Sequence, residues 1–277
     1  MPELPEAEVV ARQLRDRVVG GTVEACRVRR ADIVRRGLAT IDWYRGGCIE
    51  AVERRGKSVV FSLRKEQETR YVVAELGMTG LLLLGVPAPR FAKHTHLEMT
   101  VSGAREQRLS YWNPRRFGRI YLLDRRALDA YTAKRFGCDP LTVAWEDFRR
   151  MVSGRRGRLK VLLMHQQALA GIGNIYANEI LFRAGLHPHQ RADRLSEARV
   201  RRLFDTMQEV LHEAIEAGGS SIRDFVAPDG TAGRFARRHL VYAKTGQACP
   251  NVCGRMIRRL AGERTSFYCP RCQRQRS

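Results

Sequence analysis

The sequence predicts a mixed α+β, multi-domain protein with a leading helix, a β-rich first half, a helical middle and a cysteine-bearing tail. Three observations indicate this division. Short runs rich in Val, Ile, Leu and Tyr recur up to residue 123, and apolar residues then recur every three to four positions up to residue 217. Four of the seven cysteines lie close together near the carboxyl end. A chain of 277 residues is long enough for more than one core.

The leading helix is predicted over residues 5–19, because Val9, Val10 and Leu14 follow helical spacing and Gly20 and Gly21 end the pattern. Strands follow at short, regular intervals, which favours an antiparallel β-sandwich or barrel. The predicted strands cover residues 22–29, 47–54, 58–63, 70–75, 95–101 and 118–123.

The middle of the chain is predicted to be helical, with a boundary near residues 125–140. A stretch rich in Gly, Ser and Asp at residues 218–233 separates it from the tail. The predicted helices cover residues 145–152, 159–167, 175–184 and 196–217.

A net charge of +21, from 50 Lys and Arg against 29 Asp and Glu, indicates a polyanionic partner. A well-solvated surface and an anionic membrane are the alternatives. The membrane is disfavoured, because no apolar run approaches the roughly 20 residues that span a bilayer and the acidic start lacks a signal-peptide pattern. Seven cysteines do not form an even disulfide framework, which fits a reducing cytoplasm.

The cysteine tail has the spacing of a four-thiolate zinc site, with Cys249 and Cys253 forming one pair and Cys269 and Cys272 the other. One Zn²⁺ there is expected to be structural, because four protein ligands leave no position for water. The tail also carries seven arginines and one acid, which predicts a phosphate-facing hairpin. The remaining cysteines are expected to be small buried apolar residues: Cys26, Cys48 and Cys138.

A glycine-rich turn is predicted between two helices at residues 170–174. Gly171 and Gly173 allow close approach of a ligand to the backbone, and Asn174 is the expected helix N-cap. Backbone amides at such a helix start can hold a phosphate. An ordinary tight turn explains the same composition.

Three separated segments, residues 2–6, 169–179 and 262–273, together resemble bacterial formamidopyrimidine-DNA glycosylase, and the resemblance runs essentially end to end. The resemblance implies three domains. They are a catalytic β-sandwich at 1–134, a helix-two-turns-helix DNA-binding domain with a lesion-lid loop at 135–235, and a zinc-finger hairpin at 236–277. Shorter landmarks agree in order: residues 55–57, 76–80, 114–118 and 218–225.

The resemblance implies a bifunctional DNA glycosylase and abasic-site lyase that acts on oxidised purines. After removal of Met1, the amine of Pro2 would attack the sugar C1′ and form an iminium, from which β/δ-elimination cleaves the strand. Glu3 matches the general acid and base. Glu6 and Glu179 match carboxylates that order the amine and sugar, and Lys57 matches a lysine near the catalytic centre.

A base within a duplex must be extruded before it can react, so the resemblance also implies residues that fill the vacated space. Met78, Arg115 and Phe117 match this trio. The other matched DNA-binding residues contact phosphates or the lid region: Arg116, Lys160, Gly173, Asn174, Ser220, Tyr242 and Arg264.

Four positions depart from the family pattern. Glu75 stands where the family usually has a histidine, and a usual aspartate is replaced at Thr95, Asn113 and His165. Two alternatives therefore stay open. One is an oxidised-pyrimidine glycosylase of the endonuclease VIII type, which the intact motif at residues 115–117 disfavours. The other is a catalytically silent paralogue that binds damaged DNA.

The expected partner is double-stranded DNA containing a damaged base. We expect a monomer without a small-molecule cofactor or a membrane, located in a bacterial cytoplasm in association with the nucleoid.

Overall fold

The computed structural model describes residues 2–222, 224–262 and 264–275. The chain divides into two compact units, one formed by Met1–Lys134 with Ala217–Ala236 and the other by Arg135–Glu216 with Arg237–Ser277. The segment at 217–236, which the sequence groups with the helical domain, therefore clusters with the first unit. The predicted three-domain division stays a prediction.

The first unit combines α1 (Leu4–Val18) with a nine-stranded sheet and two further helices. Its strands are β1 (Thr22–Val28), β2 (Val34–Arg36), β3 (Cys48–Arg55), β4 (Ser58–Lys65), β5 (Glu68–Glu75), β6 (Leu81–Leu84), β7 (Thr95–Ser102), β8 (Arg108–Trp112) and β9 (Ile120–Leu123). Its other helices are α2 (Pro89–Ala92) and α3 (Arg125–Arg135).

The strand order is β2-β9-β5-β4-β3-β1-β7-β8-β6, with β2 and β9 parallel. The sheet is weakest between β1 and β3, which pair only at Thr22 and Cys48, whereas β1 pairs with β7 along its length. This short pairing divides the sheet into two parts. Phe61 of β4 in one part and Met99 of β7 in the other belong to the same buried cluster. The two halves thus enclose a shared core, as the prediction of a sandwich requires.

Helix α1 packs on β3 and contributes one apolar face to this core. Leu4, Val10, Leu14 and Val18 are fully or almost fully buried at helical spacing. The predicted helix at 5–19 is confirmed with both ends one residue earlier. All six predicted strands are also present.

The described part of the second unit contains four α-helices and a short hairpin. They are α4 (Trp145–Ser153), α5 (Leu159–Met164), α6 (Asn174–Arg183), α7 (Glu197–Glu216), β10 (Arg258–Leu260) and β11 (Ser266–Tyr268). The predicted end of α5 at residue 167 is wrong, because His165 leaves the helical region with φ −77° and ψ 102°. Among the described helices, none is both long and apolar enough to cross a bilayer.

The cysteines outside the tail differ in exposure. Cys26 and Cys48 are half-buried, whereas Cys138 is exposed. The expectation of a buried apolar residue is therefore wrong for Cys138, which lies in the extended link after α3 and pairs with Leu169 in an isolated β-bridge.

Candidate functional site

The amino end of α1 is buried and held by a capping box, in which the Glu3 side chain accepts from the Glu6 amide and the Glu6 side chain accepts from the Glu3 amide. Pro2 is buried, and Glu3 and Glu6 are each 1 % exposed. Oε2 of Glu6 accepts a hydrogen bond from the Glu3 amide at 2.7 Å, and Oε1 accepts one from the Ser220 amide at 2.7 Å. Glu6 therefore fixes Pro2 and Glu3 relative to the loop that contains Ser220.

That loop begins with two glycines in the left-handed region of backbone conformation, with φ +78° at Gly218 and +81° at Gly219. Glycine adopts this region more easily than any other residue. A Cβ at Gly219 would lie 2.9 Å from Oε1 of Glu6. The base of the loop is closed by Ser221, whose hydroxyl donates to the Phe225 carbonyl at 2.6 Å and accepts from the Gly233 amide at 2.8 Å. The backbone of Gly219 thus lies directly against the Glu6 carboxylate, close to Pro2.

Lys57 lies in the tight turn between β3 and β4. Glu75, the residue that replaces the usual histidine, pairs with Ser58 in the β-ladder next to this turn. The Tyr131 hydroxyl donates to Oε1 of Glu75 at 2.9 Å and lies 3.3 Å from the Ser58 hydroxyl oxygen. Helix α3, which carries Tyr131, is therefore tied to the strands that flank Lys57.

The three predicted hole-filling side chains lie on two loops that contact each other. Gly77 has φ +59°, and a Cβ there would lie 2.4 Å from the Gly118 amide nitrogen. Met78 is 37 % exposed and Phe117 is 55 % exposed, so both large apolar side chains are accessible to a ligand. The Arg115 guanidinium lies 4.8 Å from the Phe117 ring centroid.

Asn113 organises these two loops and is fully buried. Its Oδ1 accepts from the Thr79 hydroxyl at 3.2 Å and from the Arg116 amide at 3.0 Å. Its Nδ2 donates to the Tyr111 hydroxyl at 2.9 Å, and burial raises the pKa of that phenol. An ionised aspartate accepts hydrogen bonds only, so asparagine is the residue that satisfies all three partners.

Arg116, a predicted phosphate contact, has a left-handed backbone with φ +52°. Its Nη1 lies 2.9 Å from Oδ2 of Asp32, and both side chains are about half exposed. An exposed ion pair of this kind is weak. Arg116 is therefore available to exchange its carboxylate partner for another anion.

In the second unit, the turn before α6 is held by the Gln166 side chain. Its Nε2 donates to the carbonyl of Ile172 at 2.9 Å and its Oε1 accepts from the Gly171 amide at 2.9 Å. The prediction of Asn174 as N-cap is wrong, because the cap is Gly173 and Asn174 is already the first helical residue. The half-buried Asn174 side chain accepts from Asn178 at 3.3 Å.

Glu179 is fully buried on α6 and accepts three backbone hydrogen bonds. They come from the amides of Leu240 at 2.8 Å, Val241 at 3.0 Å and Tyr242 at 2.8 Å. These partners offset the cost of burying a carboxylate. Glu179 thereby positions Tyr242, whose ring packs on Phe267 with centroids 5.3 Å apart.

Lys160 is 5 % exposed on α5 and holds the turn between β10 and β11. Its Nζ donates to the carbonyls of Arg264 at 3.2 Å and Thr265 at 2.8 Å, and to the Ser266 hydroxyl at 2.9 Å. These three acceptors match the three hydrogens of an ammonium group. The structure places Lys160 beneath a turn on which Arg264 is exposed.

The four tail cysteines converge, with all sulfurs within 4.8 Å of one another. Sγ of Cys249 lies 3.7 Å from that of Cys272, and Sγ of Cys253 lies 3.4 Å from that of Cys269. Two thiolates bound tetrahedrally at about 2.3 Å from one zinc lie about 3.8 Å apart. The cluster therefore fits a four-coordinate metal ion.

Two family models match most of the chain. The formamidopyrimidine-DNA glycosylase N-terminal domain matches residues 1–120, and the H2TH domain of the same enzyme matches residues 136–226. The chain belongs to the formamidopyrimidine-DNA glycosylase family. The predicted family resemblance and α+β fold class are thus confirmed.

Named formamidopyrimidine-DNA glycosylases match this family member over its full length. The protein of Solibacter usitatus is 39% identical and that of Burkholderia cenocepacia is 39% identical, each over 99% of this chain and 100% of the relative.

Solved structures of the glycosylase family agree with this fold. The MutM (Fpg) protein of Thermus thermophilus has a TM-score of 0.85 and 39% identity, with 100% of both chains covered. A mutant of the Lactococcus lactis Fpg in complex with DNA containing Fapy-dG has a TM-score of 0.88 and 32% identity, over 99% of this chain and 100% of that one.

Reasoning from the glycosylase pattern missed several residues that build the site. Gln166, Tyr111 and Tyr131 lie outside the named motifs. Tyr111 and Tyr131 bond Glu75, which is far away in the sequence, whereas Gln166 bonds the nearby Gly171 and Ile172. Asn113 was noticed only as a departure from the pattern. A polar residue in an otherwise apolar strand, such as Ser110 or Tyr111 in β8, is the signal that can find such positions.

Proposed function

We propose that this chain is a base-excision-repair DNA glycosylase with abasic-site lyase activity. It removes oxidised purines, such as 8-oxoguanine and formamidopyrimidines, from duplex DNA. The observation that carries the proposal is the buried Pro2-Glu3 pair, which Glu6 joins to the loop at Ser220. A buried chain terminus with two carboxylates beside it suits nucleophilic and acid–base chemistry.

The nucleophile is the secondary amine of Pro2 after removal of Met1. A terminal amine has a reference pKa of about 8, so a useful fraction is neutral near pH 7. Its lone pair forms a bond to C1′ while the bond from C1′ to the base nitrogen breaks, and the base leaves with a proton. The proton that the attacking amine loses goes to the leaving base. Glu3 donates a proton to the ring oxygen O4′, the bond from C1′ to O4′ breaks, and the nitrogen lone pair forms the second bond to C1′, which gives the iminium.

The resulting iminium acidifies the protons at C2′. Loss of one such proton expels the 3′ phosphate, and a second elimination expels the 5′ phosphate. Water then hydrolyses the imine and restores the free amine of Pro2. One nucleophile thus serves base release and strand cleavage.

The remaining predicted residues have roles in binding DNA. Met78, Arg115 and Phe117 would fill the space left by the extruded base, and their exposure and adjacency support this role. The DNA backbone would be contacted by Lys57 and Arg116 in the first unit and by four residues in the second: Gly173, Asn174, Tyr242 and Arg264. Lys160, a predicted phosphate contact, and Glu179 would act mainly by positioning neighbouring protein segments. Their polar atoms form hydrogen bonds with the protein backbone at Thr265 and Val241.

We also propose that the ion of the cysteine cluster is Zn²⁺ and that it is structural. Four thiolates are the ligand set that zinc occupies in closed structural sites. The protein would act as a monomer on double-stranded DNA with a damaged base, in a bacterial cytoplasm and associated with the nucleoid. The oxidised-pyrimidine alternative is not favoured, because the matching domain models and relatives are formamidopyrimidine-DNA glycosylases.

Borohydride trapping tests the nucleophile. Reduction of the iminium should link the mature wild-type protein covalently to a duplex containing 8-oxoguanine, with the modified peptide beginning at Pro2. Pro2→Gly should trap far less, and Glu3→Gln should lower the rate of base release by about 10²- to 10⁴-fold. Pro5→Ala, a nearby proline outside the reacting set, is the matched control.

Two results would contradict the proposal. If wild type released the base and cleaved the strand while borohydride trapped no adduct at Pro2, the amine would not be the nucleophile. If correctly processed wild type bound the lesion tightly and formed neither adduct nor product, the chain would be the catalytically silent binder.

A further inference from the structure

Asn113, one of the four departures from the family pattern, begins a buried chain of hydrogen bonds that ends on β5. Its Nδ2 donates to the Tyr111 hydroxyl at 2.9 Å, and that hydroxyl donates to the Glu75 carbonyl at 2.7 Å. Asn113 and Tyr111 are both fully buried. Because a phenol has a single proton, its oxygen needs a donor from position 113, which an amide supplies and an ionised carboxylate lacks.

This chain packs against the backbone that directly follows Phe117. A Cβ at Gly118 would collide with the Glu75 carbonyl oxygen and the Tyr111 hydroxyl oxygen, and it would lie 2.9 Å from Nδ2 of Asn113. Protein interiors are close-packed, so a displacement of any of these three groups displaces Gly118 as well. The position of Phe117 therefore depends on the chain.

The Oδ1 atom of Asn113 joins the two loops that carry the hole-filling side chains. It accepts from the Thr79 hydroxyl at 3.2 Å and from the Arg116 amide at 3.0 Å. Thr79 directly follows Met78, and Arg116 is the middle residue of the motif at 115–117. One buried oxygen thus links both loops.

The hole-filling side chains themselves have few contacts that orient them. Met78 and Phe117 are exposed. The Arg115 guanidinium lies 4.8 Å from the Phe117 ring centroid, and it forms no hydrogen bond or ion pair with the described residues. Their positions are therefore set by the backbone of their loops, which Asn113 holds together.

We propose that Asn113 is a positioning residue for recognition of the base opposite the lesion, acting through the loops that carry Arg115 and Met78. The inference rests on the proposed function, since it takes these side chains as the ones that enter the duplex. A guanidinium recognises its partner through a rigid, planar fork of donors, and such a fork discriminates between partners only when it is held in place.

The discrimination concerns bases whose pairing edges differ in their acceptors. Cytosine presents two adjacent acceptors, O2 and N3, whereas adenine presents the single acceptor N1 beside an amino donor. A guanidinium offers donors only, so a correctly placed Arg115 favours cytosine. Loss of the Asn113 contacts should therefore reduce the preference for cytosine more than it reduces the affinity for DNA.

Binding to duplexes that contain an uncleavable abasic analogue, tetrahydrofuran, tests the proposal without catalysis. The analogue is placed opposite either cytosine or adenine, and fluorescence anisotropy with the full-length protein gives the two dissociation constants. Their ratio measures the preference for cytosine.

Asn113→Ala removes all three hydrogen bonds of the side chain, and we expect it to lower the preference for cytosine about tenfold. The melting temperature establishes that the variant is folded. A folded Asn113→Ala with the wild-type preference would overturn the proposal. So would a wild-type protein that binds the two duplexes equally well.

Tyr111→Phe and Tyr44→Phe form a matched pair that also carries the test if Asn113→Ala does not fold. Both tyrosines are fully buried, and their hydroxyls donate to carbonyls of the same strand, Glu75 at 2.7 Å and Tyr71 at 2.9 Å. Both variants should lose stability, but only Tyr111→Phe removes the partner of Asn113. We expect it to lower the preference for cytosine about threefold, and equal ratios in the two variants would refute the positioning role.

Borohydride trapping by wild type on a duplex containing 8-oxoguanine separates this proposal from the proposed function. Trapping at Pro2 with an unchanged preference in the variants refutes only the role of Asn113. A reduced preference in the variants without trapping by wild type refutes only the catalytic assignment.

Discussion

Buried carboxylates organise the predicted site by accepting backbone hydrogen bonds. Glu6 joins the chain start to the loop at Ser220, and Glu179 holds three consecutive amides that end at Tyr242. Both side chains are essentially inaccessible to solvent. Their roles in the structure are to position neighbours, and any contact of Glu179 with the reacting sugar stays a prediction.

His239, which precedes the amides bound by Glu179, should make stability depend on pH. Burial, reinforced by the charge of Lys244, lowers the pKa of His239 to about 4, whereas an unfolded histidine titrates near 6.5. Between these values the unfolded chain binds more protons, so the free energy of unfolding falls as pH decreases. Stability from this source is present above pH 6.5 and lost toward pH 4.

Urea denaturation of wild type and His239→Gln at pH 6.5 and pH 5 measures this effect. The loss of stability between the two pH values should be smaller in the variant by about 1.5 kcal/mol. The same substitution at exposed His212 on α7 controls for loss of a histidine. Equal losses in wild type and His239→Gln would show that His239 is not a source of the dependence.

From the sequence, the residues with distinctive chemistry could be predicted. The residues that position them through hydrogen bonds could not. Cysteines at metal-ligand spacing and a terminal proline followed by glutamate are local patterns, and the structure brings each group together. Asn113 and Tyr131 act through partners in other strands and helices. Their importance depends on tertiary contacts that no local pattern encodes.

At the scale of secondary-structure elements, glycines in the left-handed conformation position the loops of the predicted site. Gly219 lies against Glu6, and Gly77 lies against Gly118. In both places a backbone approaches another group closer than a side chain permits. Gly219 and Gly77 thus allow the close packing that positions the loops carrying Ser220, Met78 and Phe117.

Gly219→Ala should slow base release by displacing Glu6. Gly20→Ala is the matched control, because Gly20 has φ +85° with nothing within 4 Å, whereas Gly219 has φ +81° with Oε1 of Glu6 at 2.9 Å from the added Cβ. Both variants carry a left-handed alanine, which costs about 1 kcal/mol. Single-turnover rates with 8-oxoguanine duplex compare them, and equal rates would show that the contact with Glu6 is unimportant.

Elements with weak sequence periodicity were the ones not predicted. β6 is a run of four leucines, which fits a strand or a helix equally well. α3 buries only three of its 11 residues, so its pattern is mostly polar. α5 was predicted too long, because the apolar spacing continues into a turn that Gln166 holds by side-chain hydrogen bonds.

At the scale of the whole molecule, the net charge and the metal-binding tail were predictable from the sequence alone. The excess of 21 positive charges and the cysteine spacing are properties of the sequence. The assignment of residues 217–236 to the first unit was not, because it depends on contacts with residues far away in the chain.

Removing the metal should unfold the tail without unfolding the sheet. Two ligands, Cys249 and Cys269, are part of the small core that the tail forms with Phe182 of α6. Cys269→Ser should lose the bound zinc, weaken DNA binding and raise hydrogen exchange in residues 246–273, with the strands of the first unit protected as before. Cys48→Ser, outside the cluster, should keep the metal, and zinc retained by Cys269→Ser would contradict the assignment.

The first unit includes a segment from far along the chain, Ala217–Ala236. The Leu84 amide donates to the Pro228 carbonyl at 2.9 Å, and Phe225 belongs to the core of the sheet. During translation, a ribosome needs about 5 to 20 s to add the hundred or so residues between positions 134 and 236. A nascent chain therefore waits that long with its sheet unfinished, while the helices of the other unit emerge and can fold first.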